Sequence, residues 1–180
     1  MKNREEYCVN KRFDIERFNR HNIDGEYIFT EADGTMVRQN KSVNYYWEES
    51  RRADEVFQLY CEFHLNGNIK REGLRYYKGS FAKGVWKIFD IDGNLTKEED
   101  HDIPFEGYSW EDVKEYTKMR GIDLFDRYTY INRFIDQDSQ IPIWTISWSN
   151  PIRVSRNATK IEIDARNGKI ISEKPVSYRR

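Results

Sequence analysis

The chain has 180 residues, a net charge of -1, and 34% charged side chains of both signs. That balance supplies no global field to draw in nucleic acid or an anionic membrane surface, and the length suits one domain or two small ones. Mean hydropathy is low, yet 5 Trp, 12 Tyr and 10 Phe argue against a disordered chain, because large rings build a compact core while keeping polar edges wet.

Residues 1–12 are polar and are expected to be loose. Asp14 is placed to cap a short helix with Ile15 and Phe18 on one side, ending between Asn19 and Asn22. A cadence then recurs four times. Phe29 leads to Asp33-Gly34 and Met36, Phe63 to Asn66-Gly67 and Ile69, and Phe89 to Asp92-Gly93 and Leu95; Ile161 and Ile163 lead to Asn167-Gly168 and Ile170. An Asx-Gly pair between strand formers is the strongest short-range hairpin signal, and both turn residues are expected at positive φ.

The first hairpin spans 25–39. Tyr45-Tyr46-Trp47 has strand composition, whereas Glu48 to Asp54 has that of an exposed turn or helical segment. Strands are expected at Val56–Phe63, Ile69–Tyr77 and Val85–Ile91, with a loop at 78–84 and a charged tail after Leu95. Helical periodicity follows. Ser109 and Asp112 form a capping arrangement, Val113, Tyr116 and Thr117 share a face, and Arg120-Gly121 is a stop. A second helix is expected over Leu124–Ile135, with Leu124, Tyr128, Ile131 and Ile135 aligned. Strands return at 143–148, 153–154, 160–165 and 169–171. The fold class is α+β: an antiparallel β-meander of hairpins, then two helices and a C-terminal antiparallel sheet. The expected division is a hairpin repeat region at 1–104 and a helix-pair plus β module at 105–180.

Cys8 and Cys61 are too few for a disulfide scaffold, so two reduced thiols are expected. The start lacks an apolar signal core, and no apolar run reaches about 18 residues. The expected address is cytoplasmic, or periplasmic or lipoprotein-anchored where an export signal has been trimmed.

Asp90, Asp92, Gly93 and Glu99 fall at calcium-loop spacing, but the first ligand position holds Ile88, which has no oxygen to offer, and strands flank the turn. Cys61 and His64 stand three apart in a strand and point to opposite faces, which rules out a thiol–imidazole pair within that run. Three histidines and two cysteines show no ligand spacing. No catalytic, cofactor or metal residues are therefore expected. The candidates for partner contact are the acidic run Glu98, Glu99, Asp100 and Asp102, read as a solvated loop or a patch that meets a basic surface. With them stand the aromatics Tyr45, Trp47, Tyr76 and Tyr77, some of which must face outward. Arg51-Arg52 and Arg179-Arg180 read as solvated charge. Lys70, Arg71 and Arg75 beside aromatics keep an RNA-binding reading open as a minor alternative.

The stretch Phe63-His-Leu-Asn-Gly-Asn-Ile-Lys-Arg-Glu-Gly73, continuing in Gly84-Val-Trp-Lys-Ile-Phe-Asp-Ile-Asp-Gly-Asn-Leu95, resembles the bacterial variant of the MORN repeat found in YwqK-like antitoxins and related immunity proteins. Pro142-Ile-Trp-Thr-Ile146 and Ile161-Glu-Ile-Asp-Ala-Arg-Asn-Gly-Lys-Ile170 resemble a PepSY-like module. Neither family supplies catalytic residues. The resemblance implies a non-enzymatic immunity or antitoxin protein that neutralises a cognate toxin or effector. Its alternative is an envelope-associated scaffold module that binds peptide or glycan.

Overall fold

The computed structural model describes residues 12–79, 81–149 and 157–177. The polar start at 1–11, the expected strand at Arg153–Val154 and the pair Arg179-Arg180 lie outside those residues. The chain divides into two compact units, Met1–Tyr77 with Ala82–His101, and Lys78–Phe81 with Asp102–Arg180.

In the N-terminal unit, helix α1 (Ile15–His21) precedes strands β1 (Glu26–Thr30), β2 (Met36–Lys41), β3 (Tyr46–Arg51), β4 (Phe57–Phe63), β5 (Ile69–Tyr76), β6 (Ala82–Phe89) and β7 (Leu95–Asp100). All seven form one antiparallel sheet in sequence order. The Asp14 carboxylate accepts the Arg17 N–H at 2.8 Å and starts α1 as its sequence indicates. The helix lays Phe18 on one sheet face, where Phe13, Tyr46, Phe63, Ile69 and Phe89 complete an apolar cluster.

The Asx-Gly cadence marks hairpins at all four places, but with a different turn from the one expected. Only the glycine of each pair has positive φ, between +72° and +89°. Gly34, Gly67 and Gly93 each donate back to the residue three before, and the Asx side chain of Asp33, Asn66 or Asn167 accepts the N–H two residues on. This is a wider hairpin loop ending in a left-handed glycine, which releases the Asx residue from strain. Because turns of a meander alternate between sheet ends, Gly34 lies at the end opposite to Gly67 and Gly93. Only the latter two repeat in register.

Several local expectations are corrected. Glu48 to Arg51 is strand, since Glu48 turns inward to accept from Gln39 at 2.8 Å and masks the alternation. Strand β6 begins at Ala82, inside the expected loop. Glu98, Glu99 and Asp100 form the end of edge strand β7 and are not a loop; charged side chains are a usual way to protect such an edge from further pairing. Cys61 is disulfide-bonded and not a reduced thiol. Cys8, the other cysteine of the sequence, lies outside the described residues.

The C-terminal unit holds a short 3-10 turn at Ile103–Phe105, helix α2 (Trp110–Met119) and strands β8 (Tyr130–Ile135), β9 (Pro142–Ser149), β10 (Asn157–Asp164) and β11 (Ile170–Ser177). The antiparallel sheet runs β11-β10-β9-β8. Ser109 and Asp112 cap α2 reciprocally, as their spacing indicates. The α+β class is as expected, but the helix expected over Leu124–Ile135 is a loop followed by β8. Asp123 and Asp126 each accept an N–H two residues on, from Phe125 and Tyr128, which bends the backbone into turns. Beyond them the burial has period 2, with Ile131 and Arg133 inside. An inward arginine hid that period in the sequence. Its guanidinium pairs with Asp102 at 2.7 Å and lies over the rings of Phe105, Phe81 and Trp144.

Candidate interaction surface

The sheet face of β3–β6 turned away from α1 is polar and aromatic, and its central side chains Tyr60, Glu62 and Trp86 are buried, so it is a structural network more than an open surface. Strand register sets Trp47 opposite Glu62 and Glu62 opposite Arg71, while Glu49 stands opposite Tyr60 and Tyr60 opposite Gly73. Directly opposed residues share a face, so these side chains form two rows across the sheet. The Tyr60 hydroxyl donates to Glu62 Oε1 at 2.9 Å, Arg71 Nη2 donates to the same oxygen, and Lys70 Nζ stands 3.5 Å from Oε2. Burial pushes the Glu62 carboxyl up, but the hydrogen bonds from Arg71 and Tyr60 and the nearby cations outweigh it and hold it below the usual range. Burial, then the Glu62 charge, pushes the Tyr60 phenol well above its ordinary value.

Aromatic rings and guanidinium groups alternate along the rows. Arg75 covers Tyr60 at 4.0 Å and pairs with Glu49, and Arg38 covers Trp47 at 5.4 Å. Arg71 lies 5.5 Å from the Trp86 ring. The Trp86 indole occupies the space a Cβ would need on Gly73, with ring carbons at 2.4 Å from that position, and its Nε1 donates to the Leu74 carbonyl. Gly73 and Trp86 thus have one packing reason: the glycine is the seat for the tryptophan of the next strand.

The residues singled out in the sequence do not converge. Glu98, Glu99 and Asp100 remain on β7, where Lys97 pairs with Glu99 and lowers its carboxyl. Asp102 is engaged in the C-terminal unit by Arg133. Tyr45 and Trp47 are half-buried, with Lys70 4.7 Å from the Tyr45 ring. Tyr77 is half-buried under Arg51 at 4.2 Å. Tyr76 is 0% exposed and therefore presents no surface to a partner.

Asp90 and Asp92 lie in the turn between β6 and β7. The Asp90 carboxylate accepts the N–H groups of Asp92 and Asn94 and the Asn94 amide, which lowers its pKa and closes the turn. Among the described residues no group of His, Cys, Asp and Glu has the arrangement to hold a metal ion. The network residues Tyr60, Glu62, Arg71 and Trp86 were not singled out as a set. Their signal is the shared parity of Tyr60 and Glu62 on one strand and of Arg71, Gly73 and Arg75 on the next, which becomes informative only with the register known. In comparisons with known proteins, the chain matches no family model, no curated protein and no solved structure.

Proposed function

We propose that the protein is a non-enzymatic binding protein of the immunity or antitoxin type, which neutralises a toxin or effector by docking on it. The observation that carries this reading is the use made of its reactive groups. Cys61 is bonded, Asp90 caps its own turn, Glu62 is neutralised by Arg71 and Lys70, and Asp102 holds Arg133. Each serves the scaffold, an antiparallel meander of seven strands. The exposed carboxylates of β7 and the half-buried Tyr45 and Trp47 are the contacts suggested by composition, since acidic groups steer a basic partner and aromatic rings anchor it. The disulfide supports work in an oxidising compartment, the exported address of the two expected.

The test is co-expression with the protein encoded beside this gene. Rescue of growth from that protein's toxicity, together with a complex of nanomolar affinity, is the expected result. Unrelieved toxicity and the lack of any complex would reject the reading. Binding of a peptide or glycan in place of a protein would favour the envelope scaffold.

A further inference from the structure

The exposed aliphatic side chains of the N-terminal unit include a regular set at one end of the sheet. Meander topology brings four segments to that end: the entry to β1 (22–25) and the turns β2–β3 (42–45), β4–β5 (64–68) and β6–β7 (90–94). Each carries an aliphatic residue followed by Asp or Asn, namely Ile23-Asp24, Val43-Asn44, Leu65-Asn66 and Ile91-Asp92. Ile23 is 77% exposed, Val43 87%, Leu65 51% and Ile91 53%. Alternate strands of a sheet are about 10 Å apart, so the tips form a spaced row. Turn positions accept polar residues without cost to the fold, and a row of exposed aliphatics is therefore unexplained by folding.

Hydrogen bonds order the individual tips and join two of them. Asn66 and Asn68 both donate side-chain N–H groups to the Ile91 carbonyl, at 3.0 and 2.9 Å, and so tie two tips together. Ser42 N–H donates to Tyr45 and Ile23 N–H to Glu26, each at 2.8 Å. The four segments contain three carboxylates, Asp24, Asp90 and Asp92, of which Asp90 is engaged within its own turn; the exposed Lys41 borders the 42–45 turn, and Arg12 lies against the 64–68 turn through the Asn66 carbonyl. A row of apolar tips with the exposed carboxylates of Asp24 and Asp92 at two of them complements a protein surface of apolar hollows with basic side chains set to meet those two carboxylates. A second copy of the same edge would oppose acid to acid.

We infer that this turn edge is the surface that meets the partner, and that the partner is a protein with a basic-rimmed apolar cleft; the inference rests on the toxin-binding reading above. The probe is the purified product of the neighbouring gene, titrated by calorimetry into the wild type and three variants. These are Ile23→Ser/Val43→Ser/Leu65→Ser/Ile91→Ser, Asp24→Asn/Asp92→Asn, and Glu98→Gln/Asp100→Asn on β7. All the substituted side chains are exposed, so circular dichroism and melting should match the wild type. The tip variant is expected to bind at least about a hundredfold more weakly. The Asp24→Asn/Asp92→Asn variant should lose part of the salt dependence, and the β7 variant should lose at most a few-fold in affinity, far less than the tip variant. Undiminished binding by the tip variant, or loss confined to the β7 variant, overturns the turn edge but leaves toxin binding standing. A wild type that fails to bind overturns both.

Discussion

Glu72 shows how one buried residue sets a pH dependence. Its side chain is 6% exposed, and Oε2 has no hydrogen-bond partner. Burial raises its pKa, and the Lys87 charge opposite it only partly compensates. A carboxyl whose folded pKa is raised adds stability in its protonated form. That contribution is complete below the unfolded pKa near 4.5 and is lost as pH rises through the folded value. Glu72→Gln should therefore be more stable than the wild type at pH 7.5, by about 1 kcal/mol, and the gap should close below pH 4.5. Urea denaturation at both pH values checks this. Gly73 has a simpler constraint, the Trp86 ring in the place of a Cβ. Gly73→Ala should cost about 2 kcal/mol or more through overpacking, and a Gly73→Ala/Trp86→Leu double variant should recover part of that loss.

At the scale of elements, the starts of helices are local decisions and the identities of strands are not. Asp14 and Ser109 act through bonds to N–H groups three residues away, so both caps were legible in the sequence. Ser109→Ala should cost about 1 kcal/mol, read as a lower melting temperature with unchanged strand content. The sequence does not mark β8 as a strand, because Leu124, Tyr128, Ile131 and Ile135 fit helical spacing as well as Ile131 and Arg133 fit period 2. The choice came from the Asx turns at Asp123 and Asp126, from pairing with β9, and from the salt bridge that allows Arg133 to be buried. Glu48 hid β3 in the same way.

At the scale of the whole molecule, the disulfide at Cys61 is the main covalent constraint. Its reduction should lower stability by about 3 to 4 kcal/mol and the melting temperature by roughly 10 °C, measured by calorimetry with and without a phosphine reductant. A melting curve indifferent to reductant would argue for the reduced, cytoplasmic state that two isolated cysteines suggest by composition. The sequence by itself determined the α+β class, the sites of the four Asx-Gly hairpins and the two helix caps, because each depends on bonds between residues a few positions apart. Only the tertiary structure decided that Trp86 sits on Gly73, that Glu62 is shared by Tyr60, Arg71 and Lys70, and that Ile23, Val43, Leu65 and Ile91 line one end of a sheet. The reason is register: neighbours across strands are set by pairings between residues distant in the chain, and a turn carries no mark of the end of the sheet to which it will be brought.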